Sequence, residues 1–283
     1  MVRGCRWGDR PLFLVLWRRR HRMVSSYRCD ISHPQTTHRS ITWHHLLGVT
    51  NLVRITRVYT GTGDDGSSAV VDGSRHRKSH LRFVAVGTCD ELNSIVGLIR
   101  RECKVLPSHI DGGSSATINR IQNIAESALD RVQNELFDLG AELACEPDKL
   151  PEYMQLIDLT QCDSLTGEMD AWLEQLDPLT SFILPTGAGP EPIIHLARTV
   201  TRRLERSLVA IEDEEGSKAI REVAKVYVNR LSDWFFVFAR WVTKNMGEQE
   251  TLWTPLGKRG ESSNVANMIR KIGSNDADYD NLD

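Results

Sequence analysis

The chain is predicted to fold as an all-α protein, a five-helix up-and-down bundle preceded by an irregular Gly/Thr-rich loop. Apolar residues recur every three or four positions over five stretches, and no stretch shows the strict alternation that is typical of strands. The connections between these stretches are short, as in bundles. With 283 residues, of which 40% are hydrophobic, the chain can bury a sizeable core.

The first 50 residues differ from the rest in charge. They contain nine arginines, no lysine and two acids, a net charge of +7, whereas the remaining residues carry −10. An Arg-rich, acid-poor leader indicates a transit peptide, so we expect residues 1–50 to direct the protein to the mitochondrial matrix. Translation from Met23 is an alternative interpretation. The apolar run 11–17 is too short to span a membrane, and the acidic body argues against nucleic acid as a partner.

Residues 51–254 are predicted to form the helical bundle domain, and residues 255–283 a polar tail that we expect to be disordered. The periodicity predicts helices over about 83–101, 117–145, 164–176, 194–211 and 217–246. Residues 182–184 are expected to be extended, and the acidic segment 212–215 to be a turn. Six cysteines without C-x-x-C spacing indicate free thiols, not a disulfide framework or a zinc site.

The fourth predicted helix concentrates positive charge. Its four arginines within nine residues are Arg198, Arg202, Arg203 and Arg206. A rotation of about 100° per residue places Arg198, Arg202 and Glu205 on a stripe beside the apolar face. One interpretation is a solvated face with i,i+4 pairs. The other is an anion site, because charges packed among helices need partners.

A Gly-rich segment near residue 60 is a candidate phosphate loop. Gly61, Gly63 and Gly66 alternate with Thr and Asp, so backbone amides and hydroxyls could surround phosphates. The segment lacks the Gly-Lys-Ser/Thr of a P-loop, and a Gly-rich turn without function is the alternative. Cationic side chains follow directly, at Arg75, Arg77 and Lys78.

Two isolated charges are further candidates. Asp90 lies off the apolar stripe of its helix, either as a solvated acid or as an acid that faces a neighbouring helix or subunit. Arg230 is expected in the middle of an aromatic helix face, with Asn229 and Asp233 at its edge, as a structural ion pair or a ligand contact. No Glu-x-x-His pair is present, so we predict no metal bound by protein side chains alone.

Five motifs in this order resemble those of the PduO-type corrinoid (ATP:cob(I)alamin) adenosyltransferases, close to the mitochondrial enzymes. They are Tyr59-Thr-x-Thr-Gly-Asp-x-Gly66, Ala85-Val-Gly-Thr-x-Asp-Glu-Leu-Asn93, Phe182-Ile-Leu-Pro185, Arg198-x3-Arg202-Arg-x-Glu-Arg206 and Val228-Asn-Arg-Leu-Ser-Asp233. The resemblance implies a homotrimer with ATP at each subunit interface. It also implies transfer of the 5′-deoxyadenosyl group of ATP to cob(I)alamin, with Mg²⁺ and with release of triphosphate.

The resemblance also assigns residues. ATP is expected at Thr60, Gly61, Thr62, Gly63, Ser67, Ser68, Ala69, Lys78, Arg202, Arg203, Leu204, Glu205, Arg206 and Asn229. Arg202 is expected to neutralise the leaving triphosphate, and Phe182 to cover the lower face of the corrin ring. Asp90 and Arg198 are expected to form a salt bridge between subunits.

Two positions depart from the family pattern. Gly61 stands where a lysine is common, and Val84 where a glutamate is common. The family context also suggests transient contact with a cobalamin reductase and with methylmalonyl-CoA mutase. Two alternatives of another class are a helical ATP- or cobalamin-binding chaperone without chemistry and a ferritin-like di-metal bundle, which the absent Glu-x-x-His pairs disfavour.

Overall fold

The computed structural model describes residues 61–70, 73–106, 115–258 and 265–273. Five long helices dominate the fold, and the all-α prediction is confirmed. They are α1 (Leu81–Lys104), α2 (Ser115–Leu143), α3 (Leu159–Leu173), α4 (Glu191–Glu215) and α5 (Glu222–Asn245). The predicted leader 1–50 and the first motif residues Tyr59 and Thr60 lie outside the described residues.

The helices alternate in direction, as predicted for an up-and-down bundle. In space they follow the order α2, α1, α4, α5, α3. Arg82 at the start of α1 contacts Glu215 at the end of α4, so these two helices are antiparallel. Glu191 at the start of α4 contacts Thr243 near the end of α5, so α4 and α5 are antiparallel as well. The bundle therefore places the arginine-rich helix α4 between α1 and α5.

The apolar stripes of the helices meet in one core. Its largest fully buried side chains include Leu92, Ile99, Leu129, Leu136, Leu165, Tyr227, Trp234, Phe235 and Phe238. Aromatic rings extend this core between α3 and α5. The ring centroid of Trp172 lies 5.2 Å from that of Trp234 and 5.1 Å from that of Phe238. Ring pairs of this kind add to the free energy of apolar burial.

Several predicted helix ends were wrong, and local contacts explain them. Helix α3 begins five residues earlier than predicted, because Asp158 and Gln161 form a reciprocal capping box there. Helix α4 continues through the predicted acidic turn to Glu215, where Arg82 supplies a countercharge. It ends at Gly216, whose φ of 103° suits glycine. Helix α5 accordingly begins at Glu222.

The Gly/Thr-rich loop contains a small sheet that the sequence did not predict. Strands β1 (Ser67–Ala69) and β2 (Arg75–Arg77) pair antiparallel, with Ser68 opposite His76. Each strand has three residues, too few to show an alternating pattern. The hairpin leads directly into α1 and fixes the loop at that end of the bundle.

Two further segments lie outside the bundle. Ile183 forms an antiparallel bridge with Leu252, so the extended segment predicted at 182–184 pairs with a later part of the chain. Within the tail that we expected to be disordered, the structure describes a short helix, α6 (Val265–Gly273). The boundary at residue 254 stays a prediction. Among the described helices, none is both long and apolar enough to span a bilayer.

Candidate functional site

The Gly-rich loop brings a lysine against its own backbone. A Cβ atom at Gly63 would lie 3.1 Å from Lys78 Nζ and 3.2 Å from the carbonyl oxygen of Ser67. Glycine therefore leaves the space that the ammonium group occupies. Lys78 is anchored through its backbone N–H, which donates to the Gly66 carbonyl at 2.9 Å. The result is an exposed positive charge beside a turn of backbone amides, which is a suitable place for a phosphate.

Arg75 and Asp65 hold this loop in shape. Arg75 Nη2 donates to the carbonyl oxygen of Thr62 at 2.8 Å and to Ser67 Oγ at 2.6 Å. Asp65 Oδ1 accepts from both the hydroxyl and the backbone N–H of Ser67 at 2.8 Å. These two hydrogen bonds, and then the charge of Arg75, hold the pKa of Asp65 below its usual value. We expected Arg75 only as a cation near the loop, and its bracing contacts were missed.

The predicted ATP contacts at Ser67 and Ala69 have structural partners in the hairpin. Both donors of Ser67 are engaged by Asp65, and Ala69 is buried in strand β1. Ser68 lies between them and faces the other side of the strand, half-buried. Their roles in binding stay predictions, as does the role of Thr60, which lies outside the described residues.

The arginines of α4 separate into different environments. Arg203 forms an ion pair with Glu91 of α1, a partner that sequence reasoning missed. Arg206 Nη1 donates to the Arg202 carbonyl at 2.9 Å on the same helix. Arg202 is exposed and forms no ion pair with any residue of the described ranges. Arg202 is therefore the arginine most available to an external anion.

Neighbouring positions on α4 complete this surface. Glu205 is half-buried beside the arginines. The Leu204 side chain is fully buried in the core, which assigns it to packing. Its predicted contact with ATP could involve its backbone alone.

Arg198 and Asp90 are not joined within one chain. Arg198 is half-buried, and burial, followed by the charge of Arg202, lowers the pKa of its guanidinium. Its Nε donates to His195 Nδ1 at 3.4 Å, and it has no carboxylate partner in the part of the chain that the structure describes. Asp90 is exposed on α1. The predicted salt bridge between subunits stays a prediction.

The structure corrects the position of Arg230. We expected it in the middle of the aromatic face of α5. Its side chain instead extends from the edge of α5 toward α3 and is 36% exposed. There it pairs with Asp163 at 3.2 Å, as in the ion-pair interpretation. Asn229 and Asp233 are both exposed beside it.

Phe182 is the most exposed aromatic ring of the candidate site, at 77%. Its carbonyl oxygen accepts from the backbone N–H of Trp253 at 2.7 Å, and the two rings meet edge to face at 6.0 Å. Trp253 was not predicted as part of the site, because the bridge between these distant segments has no local sequence signal. An exposed aromatic pair of this kind can cover an apolar ligand face.

The loop and the exposed arginines are separated within one chain. Lys78 lies just before the start of α1, whereas Arg202 lies level with Glu91, since its neighbour Arg203 pairs with that residue. Ten residues of helix separate Leu81 from Glu91, about 15 Å along the axis. No hydrogen bond or ion pair joins the two groups within the described ranges. Each chain thus presents two separate cationic half-sites.

Among the described residues, no group of three or more His, Cys, Asp or Glu side chains could hold a metal ion. Among the described residues, Cys89, Cys103, Cys145 and Cys162 are buried and form no disulfide. The fold and the two half-sites together define a helical-bundle protein with exposed cationic groups that suit an anionic ligand.

Comparisons with known proteins identify the family. The cobalamin adenosyltransferase family profile matches residues 58–242. A corrinoid adenosyltransferase of Mycobacterium leprae is 38% identical over 210 residues, covering 72% of this chain and 99% of that protein. A cobalamin adenosyltransferase of Cupriavidus metallidurans is 38% identical over 204 residues, covering 71% and 95%. The chain belongs to the cobalamin adenosyltransferase family.

A solved structure shares the fold. A variant PduO-type ATP:corrinoid adenosyltransferase from Lactobacillus reuteri, complexed with cobalamin and ATP, superimposes with a TM-score of 0.59. It is 27% identical to this chain and covers 70% of it and 100% of its own length. The five-helix bundle predicted from the sequence is therefore the fold of this family.

Proposed function

We propose that this chain is an ATP:cob(I)alamin adenosyltransferase, which transfers the 5′-deoxyadenosyl group of ATP to cob(I)alamin and releases triphosphate. Family membership supports the reaction class. The observation that carries the proposal is the Lys78 ammonium against Gly63 in the Gly-rich loop, together with an exposed Arg202 on α4 that forms no ion pair within the described ranges. These groups suit a polyphosphate leaving group.

The chemistry requires no nucleophile from the protein. The electron pair of Co(I) forms the new bond to C5′ of the ribose, while the bond from C5′ to the triphosphate oxygen breaks and its electron pair leaves with triphosphate. Cobalt is formally oxidised from Co(I) to Co(III). The protein has to align the two substrates and to stabilise the charge that builds on triphosphate.

Cationic residues perform the second task. Lys78 and Arg202 contribute full charges. The N–H groups of Asp64 and Gly66 already donate to the carbonyls of Gly61 and Gly63, so backbone donors to phosphate would come from other amides of the segment 61–66. Mg²⁺ would reach the site on the phosphates of ATP, with Glu205 as an orienting partner or as a contact to the ribose or the ion.

Phe182 is proposed to cover the lower face of the corrin ring. Its ring is exposed and supported from one side by Trp253. An aromatic surface at that position would exclude water and the lower cobalt ligand, which favours reduction of cobalt to Co(I).

The active site is proposed to form between subunits of a homotrimer. The two cationic half-sites of one chain lie at levels about 15 Å apart along α1, counted from Leu81 to Glu91, and no hydrogen bond or ion pair joins them among the described residues. A head-to-tail assembly, in which one subunit supplies its loop and the next supplies Arg202, would unite them.

An apolar strip supports the same assembly. Val84 and Leu98 lie about two helical turns on either side of Glu91 on α1, so all three share one face. On the neighbouring antiparallel helix α4, Leu196 lies seven residues before Arg203 on the same face, whereas Val209 lies six residues after it and about 120° further round the helix. All four apolar side chains are about half exposed. Contiguous exposed apolar residues of this kind mark protein–protein contacts.

The direct test of the reaction is the release of triphosphate from ATP in the presence of chemically reduced cobalamin. An enzyme releases triphosphate in proportion to the adenosylated cobalamin formed. A chaperone that only holds ATP or cobalamin, the alternative considered for this fold, would bind both without releasing triphosphate. The named relatives and the solved neighbour do not favour that alternative.

The cellular setting is also proposed. The Arg-rich residues 1–50 support import into the mitochondrial matrix. A cobalamin reductase and methylmalonyl-CoA mutase are proposed as transient partners. Cell fractionation with and without residues 1–50 would test the location, and loss of mitochondrial enrichment on truncation is the expected result.

A further inference from the structure

A polar chain of side chains runs along α4 from its buried first turn to the site. Glu191, His195, Arg198 and Arg202 are spaced at i, i+4, i+7 and i+11, which places them on one face of the helix. The side chains of Glu191 and His195 are 4% and 3% exposed, Arg198 is half-buried and Arg202 is exposed. This row of four side chains connects the interior of the bundle to the arginines that we assign to ATP.

The contact between His195 and Arg198 fixes the tautomer of the imidazole. Arg198 Nε donates to His195 Nδ1 at 3.4 Å, so Nδ1 must carry a lone pair and not a proton. Neutral His195 then holds its proton on Nε2. That atom is buried and has no hydrogen-bond partner among the described residues. A proton on Nδ1 would face the donor group of Arg198 and bring two positive charges together.

Glu191 lies next to the proton that this tautomer requires. Its Oε1 is 3.7 Å from His195 Nε2. The carboxylate is buried in the first turn of α4, where the helix dipole favours negative charge, and its Oε2 accepts from Thr243 Oγ1 at 2.9 Å. The negative charge of Glu191 therefore favours the Nε2–H form of His195 and its orientation.

The loop that carries Phe182 also contacts this group. A Cβ atom at Gly187 would collide with the Glu191 carboxylate, so the backbone of the loop packs directly on it. The Glu191 side chain thus lies between the segment that follows Phe182 and the imidazole. The buried Glu191 side chain therefore contacts both the loop that carries Phe182 and the imidazole next to Arg198.

We propose that His195 and Glu191 are positioning residues for Arg198. The imidazole holds the guanidinium through Nε, which leaves its terminal nitrogens directed to an acceptor outside the chain, the carboxylate of Asp90 in a neighbouring copy. The effect on turnover rests on the proposed function, whereas the tautomer of His195 does not.

Two similar substitutions at His195 distinguish the loss of the hydrogen-bond acceptor for Arg198 from a change in packing. In His195→Asn the amide oxygen can take the place of Nδ1, whereas in His195→Gln the amide lies near Nε2 and the acceptor for Arg198 is lost. We expect His195→Asn to keep kcat/KM within about threefold of the wild type and His195→Gln to lower it roughly tenfold or more. Equal losses in both variants would overturn the proposal. Glu214→Gln, an exposed change near the end of α4, is the control.

The dependence on Arg198 is tested by a double-mutant cycle. If His195 acts through Arg198, then His195→Gln has no further effect on kcat/KM in an Arg198→Ala background. Additive losses would show that His195 supports the fold independently of Arg198 and would overturn the proposal. Thermal unfolding of each variant identifies changes that are due to loss of stability.

A measurement without turnover completes the test. Nitrogen-15 NMR of histidine-labelled full-length protein, with His195→Gln used for assignment, reports which ring nitrogen is protonated. We expect an unprotonated Nδ1 and a protonated Nε2 at neutral pH. The opposite tautomer in an active enzyme would overturn the positioning role alone. The expected tautomer in a protein without transferase activity would overturn the proposed reaction alone.

Discussion

Arg203 of α4 forms an ion pair with Glu91 of α1, whereas its neighbour Arg202 has no ion-pair partner in the part of the chain that the structure describes. The pair follows from the register in which the antiparallel helices α1 and α4 pack. It distinguishes two adjacent arginines that look equivalent in the sequence.

The two arginines are therefore expected to differ in function. Arg202→Ala should lower kcat/KM roughly a hundredfold or more, because it removes a charge that stabilises the leaving triphosphate. Arg203→Ala should lower it less than about tenfold, because Glu91 already neutralises that guanidinium. Steady-state kinetics with ATP and cob(I)alamin measure both effects.

Circular dichroism of both variants serves as the control, and unchanged helix content is expected. Glu91→Gln provides a further comparison, since it frees Arg203 without removing it. Normal turnover of Arg202→Ala would refute the assignment of that residue.

Separated half-sites predict complementation between inactive variants. Lys78→Ala removes the charge of the loop and Arg202→Ala that of the helix, so each variant alone should have little activity. In randomly mixed trimers with sites shared head to tail, about one quarter of the sites combine an intact loop with an intact Arg202. Activity should return to that fraction of the wild-type value after the two variants are unfolded and refolded together.

The mixing experiment has a built-in control. Two variants of the same half-site, Arg202→Ala with Arg206→Ala, should show no comparable recovery. If the Lys78 and Arg202 variants also failed to complement each other, the site would lie within a single chain.

Phe182 is expected to act on cobalamin and not on ATP. Phe182→Ala removes an exposed ring, so it should alter the stability of the bundle little while impairing displacement of the lower cobalt ligand. The absorption spectrum of bound cob(II)alamin reports that displacement. A variant whose bound cob(II)alamin spectrum matches the wild type would contradict this role, and ATP binding should be unchanged in both proteins.

Glu142 should make the bundle less stable as pH rises. It is buried in α2, and burial raises the pKa of its carboxyl even though Arg221 opposes the shift. A raised pKa in the folded state means that the contribution to stability is complete below about pH 4.5, the ordinary value, and is lost as pH rises through the folded pKa. The unfolding temperature of Glu142→Gln relative to the wild type should therefore rise between pH 4.5 and neutral pH.

Glu126 on the same helix gives a control of opposite sign. Its hydrogen bond from Arg100 lowers the pKa of the carboxyl, so its contribution is present above the ordinary value and is lost as pH falls. The effect should be small, because this ion pair lies near the surface. If Glu142→Gln and Glu126→Gln showed the same pH trend, the electrostatic explanation would be wrong.

The sequence predicted the helices better than the contacts between them. Apolar periodicity is a property of each helix, and it located all five. The capping box at Asp158 was visible in the sequence and could have corrected the start of α3. The pairing of Arg203 with Glu91 depends on the register of two helices that are distant in the chain, which no local pattern encodes.

The resemblance assigned Lys78 and Arg202 to one ATP site between subunits, and the fold shows where each of them lies in one chain. The motif residues Lys78 and Arg202 were both assigned to triphosphate from the family resemblance. The direction and length of α1 place the loop and Arg202 at levels about 15 Å apart along the helix axis. The bracing role of Arg75 and the pairing of Phe182 with Trp253 likewise follow from turns and bridges that become apparent in three dimensions.

The most direct test of the proposed reaction is a single-turnover experiment with chemically reduced cobalamin and ATP. The absorption spectrum of cob(I)alamin should convert to that of the light-sensitive adenosylated product, and one triphosphate should be released for each product formed. Binding of both substrates without the product spectrum and without triphosphate would contradict the assignment as an adenosyltransferase.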